Sequence, residues 1–124
     1  MKQALLVFLG GGLGSVLRYV LSKPLNVLLQ NFFLGTFLVN MFGCLLIGIV
    51  LGLSSRNNLL SVNNSLFLAT GFCGGFTTFS AFAFEKHSLL KNSELFHFSV
   101  YTIASVVVGV LAVALGLWLS KLGE

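Results

Sequence analysis

Apolar residues run in four long blocks, about 3–21, 32–53, 65–84 and 95–119, separated by short polar connections. Each block is close to the roughly 20 residues that a helix needs to cross the hydrocarbon core of a bilayer. The pattern predicts an all-α membrane protein, a single four-span domain over residues 1–124. The connections are Lys23-Pro24 through Asn31, Ser54-Ser55-Arg56-Asn57-Asn58 through Asn64, and Glu85 through Glu94. Pro24 has no N–H to donate and predicts the end of the first helix. None of the connections is long enough to hold a separate site, so function is expected among the helices. The first block reads as a span and not a signal peptide, because no small-residue cleavage pattern follows it and Arg18-Tyr19 interrupts its end.

The third block departs from a plain spanning pattern. Gly71-Phe72-Cys73-Gly74-Gly75-Phe76-Thr77-Thr78-Phe79-Ser80-Ala81-Phe82 carries three glycines and three hydroxyls inside an apolar run. Such a mixture loosens the helical ladder, and non-helical backbone at membrane depth survives only where protein or a polar cavity receives it. The third helix is therefore expected to break near mid-membrane. Phe76, Phe79 and Phe82 recur at a spacing of three and are expected to share one face of whatever helix follows the break. Hydroxyls and ring edges gathered at this depth have the profile of a small-ion pathway.

Composition agrees with the membrane reading. Charged residues are only 8% of the chain and the mean hydropathy is +1.00, against roughly 25% charged residues in soluble domains. The net charge of +4 is ordinary for a membrane protein and points to no nucleic-acid partner. With four spans, Lys2, Arg56 and Lys121 fall on one side of the bilayer, and Arg18, Lys23, Lys86 and Lys91 on the other. Orientation normally follows an excess of Lys and Arg in cytoplasmic loops. A near-even split predicts a chain that inserts both ways and pairs with an inverted copy of itself.

Polar groups at membrane depth are costly and mark function. Here they are Arg18, Thr36, Asn40, the Thr77/Thr78/Ser80 group, Thr102 and Ser105, with Tyr101 beside them. No Asp or Glu stands in the interior of a span; Glu85 stands at the end of the third. A proton-coupled cation carrier needs an intramembrane carboxylate, so this set argues against one. A guanidinium, a carboxamide, hydroxyls and positive ring edges are all donors, and they suit an anion. Each also has a plainer reading: Arg18 as a snorkelling side chain, Asn40 as helix–helix glue, Tyr19, Tyr101 and Trp118 as interfacial anchors.

Other candidate chemistry falls away. Cys44 and Cys73 lie within apolar blocks and behave as small apolar residues, with neither zinc-like spacing nor a disulfide framework. His87 and His97 form no metal or nucleophile constellation, so no enzyme is predicted. Gly10-Gly11-Gly12-Leu13-Gly14 lacks the lysine of a phosphate loop. Gly10 with Gly14, Gly48 with Gly52, and Gly71 with Gly75 instead form small-xxx-small pairs that let helices approach closely in lipid. For Gly74-Gly75 packing is insufficient as the whole account, given the hydroxyls that follow.

Gly14-Ser15-Val16-Leu17-Arg18-Tyr19, Thr36, Asn40-Met41-Phe42-Gly43 and Gly71 through Phe82 together resemble the Fluc (CrcB-type) fluoride channels in order and spacing. The resemblance covers the chain in length and four-span layout. It implies a dual-topology homodimer of two antiparallel subunits with two fluoride pores, in the cell inner (plasma) membrane. It further implies that Arg18 sits near a pore mouth, that Asn40 donates to the ion, and that Phe79 and Phe82 supply the ring edges that contact fluoride. Ser80 and Thr36 would be hydroxyl donors along the path, Tyr101 and Ser105 part of a polar track on the fourth span, and Glu85 the vestibule glutamate. Backbone carbonyls of Gly74 and Thr77 would hold a central structural sodium ion on the two-fold axis. Along the fourth span Gly109 and Val113 follow Ser105, where the family's polar track continues.

Two other readings fit part of the pattern. A small dual-topology multidrug-type transporter also has four spans, but wants an acidic residue in the first, and 3–21 has none. A non-transporting scaffold subunit would use the glycine pairs but not the donors around the break.

Overall fold

The computed structural model describes residues 1–56 and 59–123; Asn57 and Asn58 of the second connection lie outside the described residues. Every regular element among the described residues is helical. Helices α1 (Lys2–Leu25), α2 (Leu34–Ser54) and α6 (Leu95–Leu119) are continuous. The third span, Val62–Lys91, is a bent series of joined pieces. It runs as α3 (Val62–Ser65), a π-helical stretch (Leu66–Cys73), α4 (Gly74–Phe76), an extended pair at Thr77 and Thr78, and α5 (Phe79–Lys91). All four spans are long and apolar enough to cross a membrane.

α1 ends at Leu25, one residue past Pro24 and as the proline predicts, and α5 is the helix whose end differs from the pattern. The last turn of α1 closes with the Asn26 N–H on Ser22 O at 2.9 Å. At the same end of the molecule α5 carries on through Glu85 and Lys86 to Lys91, so the last connection shrinks to Asn92, Ser93 and Glu94. Burial of Glu85, Lys86 and Leu89 keeps this last part of α5 against its neighbours. The turn after it closes with Ser93 in the left-handed region at φ 59° and the Glu94 N–H on Leu89 O at 2.9 Å.

Two glycine seams bring the helices together. Along the first, α1 lies on the third span so closely that a Cβ at Gly10 would stand 3.1 Å from Gly71 Cα, and one at Gly75 would stand 2.9 Å from Gly11 Cα. Along the second, α2 meets α6 where a Cβ at Gly48 would stand 3.1 Å from Gly116 Cα. In lipid, where apolar side chains gain nothing by leaving the tails, such backbone approach is a main source of association. Gly75 is thus a packing residue after all. Its neighbour Gly74 is not: it is exposed, and the nearest atom to a Cβ there would be Ala69 O at 4.0 Å. Arg56 donates to Ser120 O and closes the C-terminal end of α6.

Candidate functional site

The break in the third span is held by one side chain. Asn40 on α2 accepts the Thr78 N–H through Oδ1 at 2.7 Å and donates from Nδ2 to Thr78 O at 3.1 Å. Its carboxamide thereby replaces a neighbouring strand for a residue in extended conformation. Thr78 in turn caps α5, its Oγ1 accepting the Ala81 N–H at 3.2 Å and lying 3.3 Å from Ser80 Oγ. Thr77 stays tied to the helix before the break, N–H and hydroxyl both donating to Cys73 O.

These bonds have a second effect. A continuous helix would close the Thr78 N–H onto Gly74 O and the Ala81 N–H onto Thr77 O. Both N–H groups are diverted, the first to Asn40 and the second to the Thr78 hydroxyl. The carbonyls of Gly74 and Thr77 are therefore released from the helical ladder. Free oxygen ligands of this kind at a helix break suit a hard monovalent cation.

On one side of the break, between α1, α2 and α5, lies a cavity of about 260 Å³ lined by Ser15, Arg18, Thr36, Thr78 and Glu85 among others. Glu85 is 6% exposed, and each of its oxygens receives a hydroxyl. Thr36 Oγ1 donates to Oε1 at 2.5 Å and the Tyr101 hydroxyl donates to Oε2 at 2.9 Å. Asn26 orients Thr36 in turn, donating from Nδ2 to Thr36 Oγ1 at 3.2 Å and accepting the Thr36 N–H at 3.0 Å. Arg18 lines the same cavity, and its buried Nε has no hydrogen-bond partner among the described residues.

On the other side is a groove of about 480 Å³ with Asn40, Gly74, Phe79, Phe82 and Ser105 in its wall. Phe79 and Phe82 stand 6.0 Å apart between ring centroids, and Phe82 is 5.2 Å from the Tyr101 ring. Ser105 Oγ is buried here without a hydrogen-bond partner among the described residues. Thr78 belongs to both walls, so cavity and groove meet at the Asn40–Thr78 contact.

The residues singled out in the sequence fall into one continuous region, with differences of detail. Asn40 spends one Nδ2 hydrogen on the backbone and keeps the second, since a carboxamide has two. The Thr36 hydroxyl hydrogen is committed to Glu85. Phe79, 78% exposed, lines the open flank of the groove, whereas Ser80 is exposed and lines neither groove nor cavity. The sequence reading missed Asn26, whose position in a polar connection gives no hint of its pairing with Thr36. It also placed Lys86 in a loop, whereas Lys86 is buried on α5, and the exposed lysines of its side are Lys23 and Lys91 in the last turns of α1 and α5.

A family profile described as CrcB-like protein, Camphor Resistance (CrcB), matches residues 5–117 of this chain. A protein of Phocaeicola vulgatus named "Fluoride-specific ion channel FluC" is 50% identical over 98% of this chain and 100% of its own length. One of Gloeothece citriformis with the same name is 46% identical over 99% of this chain and 100% of its own.

Proposed function

The chain belongs to the CrcB family, and on that premise we propose that it is a fluoride-selective ion channel through which fluoride leaves the cell passively, relieving its toxicity. It is a multi-pass membrane protein, in bacteria one of the plasma membrane, and not an enzyme. The observation that carries the reading is a pair of donors, one on each side of the break, that are buried and without partners among the described residues. They belong to Arg18, which lines the cavity, and to Ser105, which lines the groove, and Thr78 lines both. Leaving a buried donor unpaired costs about 1–3 kcal/mol, and a small anion passing between them supplies the missing acceptor.

Fluoride is small and tightly hydrated, so a path for it must replace water with close donors. The free Asn40 hydrogen, Ser105, Ser80 and Arg18 offer N–H and O–H groups, and Phe79 and Phe82 offer ring edges that carry partial positive charge. Arg18 draws the anion toward the cavity, while the Glu85 carboxylate, saturated by Thr36 and Tyr101, holds those hydroxyls in a fixed array. Chloride is larger and gains less from donors set at a fluoride distance.

Two finer features belong to the same proposal. The working unit is an antiparallel homodimer: the near-even Lys and Arg split supports insertion both ways, and the exposed Thr70, Gly74 and Ser80 form a polar flank unsuited to lipid. A structural sodium ion is held by the carbonyls of Gly74 and Thr77, whose release from the helical ladder fits them to the role. When bound it supplies a fixed positive charge that favours anions nearby.

The test is passive efflux from liposomes containing the purified chain, read with a fluoride electrode against a chloride control. Rapid fluoride loss with negligible chloride loss and no proton gradient is expected. Equal silence for both anions overturns the reading.

A further inference from the structure

Lys86 is the one lysine of this chain that is drawn inside the fold, with 7% of its surface exposed. A buried ammonium ordinarily sits against a carboxylate, yet among the described residues none lies within ion-pair distance of it. Its neighbour Glu85 has both oxygens occupied by Thr36 and Tyr101. The Lys86 Nζ donates instead to Phe98 O on α6. Around it stand three aromatic rings: it lies over Phe98 at 3.8 Å from the centroid, over Tyr101 at 5.2 Å and over Phe82 at 5.8 Å. One of these rings, Phe82, supplies a ring edge to the proposed fluoride path, and Tyr101 donates to Glu85 beside it.

A cation on the face of an aromatic ring is attracted by the negative π-cloud and polarises it. Density drawn toward the face leaves the ring edge more positive, and the edge is the part that meets an anion. The Phe98 carbonyl fixes the ammonium at the back of the rings, so its influence reaches the path without its entering the path. We propose that Lys86 is a positioning and tuning residue for conduction, strengthening the Phe82 ring edge as a donor to fluoride.

This rests on the fluoride-channel reading, and the experiment separates the two. Fluoride efflux is measured as a function of fluoride concentration for the unaltered protein, Lys86→Met, Lys86→Gln and Lys86→Arg, each first shown to run as the native assembly in detergent. The uncharged variants should raise the half-saturating fluoride concentration about threefold to tenfold, while Lys86→Arg stays within about twofold of the native value, since a guanidinium also stacks on aromatic faces. A merely structural lysine would change the number of working channels and leave half-saturation where it was. In a Phe82→Leu background the further change to Lys86→Met should shrink, because the ring that transmits the charge is gone. Native half-saturation in Lys86→Met, or failure of both uncharged variants to assemble, overturns the inference alone. Silence of the unaltered protein overturns the channel reading and this inference with it.

Discussion

The carboxamide of Asn40 holds the backbone of Thr78 at both of its polar groups, accepting the N–H and donating to the carbonyl across the contact of α2 with the third span. One side chain thus keeps the helix open, frees the Gly74 carbonyl and stands where the cavity meets the groove, while the Thr78 hydroxyl frees the carbonyl of Thr77.

Asn40→Asp preserves the acceptor but sets a carboxylate oxygen against Thr78 O. Both the lost hydrogen bond and the repulsion of an incoming anion act in the same direction. We expect fluoride efflux to fall at least about tenfold, the equivalent of some 1.4 kcal/mol, with Asn40→Ala falling less. Liposome flux on assembled protein is the check, and efflux within about twofold of native for Asn40→Asp would remove the residue from the path.

Phe82→Ile keeps an apolar side chain but removes the ring edge. The assembly should survive, as read by its elution in detergent, while fluoride flux drops. Unchanged flux would take Phe82 out of the pathway.

Thr36→Val and Tyr101→Phe each leave one Glu85 oxygen without its donor. A hydrogen bond to a charged group contributes about 1.5–3 kcal/mol, so each variant should melt at a lower temperature in detergent. The double variant should lose less than the sum of the two, because both donors serve one carboxylate and the sites are coupled. Strict additivity would mean that the two contacts are independent.

Replacing sodium throughout by a large organic cation should reduce the assembled fraction and the flux together, since the carbonyls of Gly74 and Thr77 would then lack a counter-charge. Purification and efflux in N-methylglucamine buffers test this. Full activity without sodium would leave those carbonyls without the proposed ligand.

Much of this arrangement was legible in the residues themselves. Four apolar blocks of spanning length gave the helices, and glycines followed by hydroxyls marked the break, because backbone can open in lipid only where such groups receive it. The glycine pairs were readable as contact surfaces, although the partner of Gly48 is Gly116, which has no second glycine four residues away. What the pattern could not carry depends on geometry across the fold. The π-helical stretch over Leu66–Cys73 has no residue that announces it. Glu85 and Lys86 look like the start of a loop because charges usually end a span, and only the packing of α5 on α6 shows them enclosed. The Asn26–Thr36 pairing joins a connection to a helix, which no periodicity records.

Thr78 has a place in both walls, and this limits how such a protein can change over time. A substitution there alters the entry chamber and the ring-lined passage together, so the two cannot be adjusted one after the other by single steps. Any lineage that reshapes its selectivity has to do so from positions belonging to one compartment only, such as Ser105 or Arg18. Variation tolerated at those flanks and refused at the hinge between them is the signature to expect when many such sequences are set side by side.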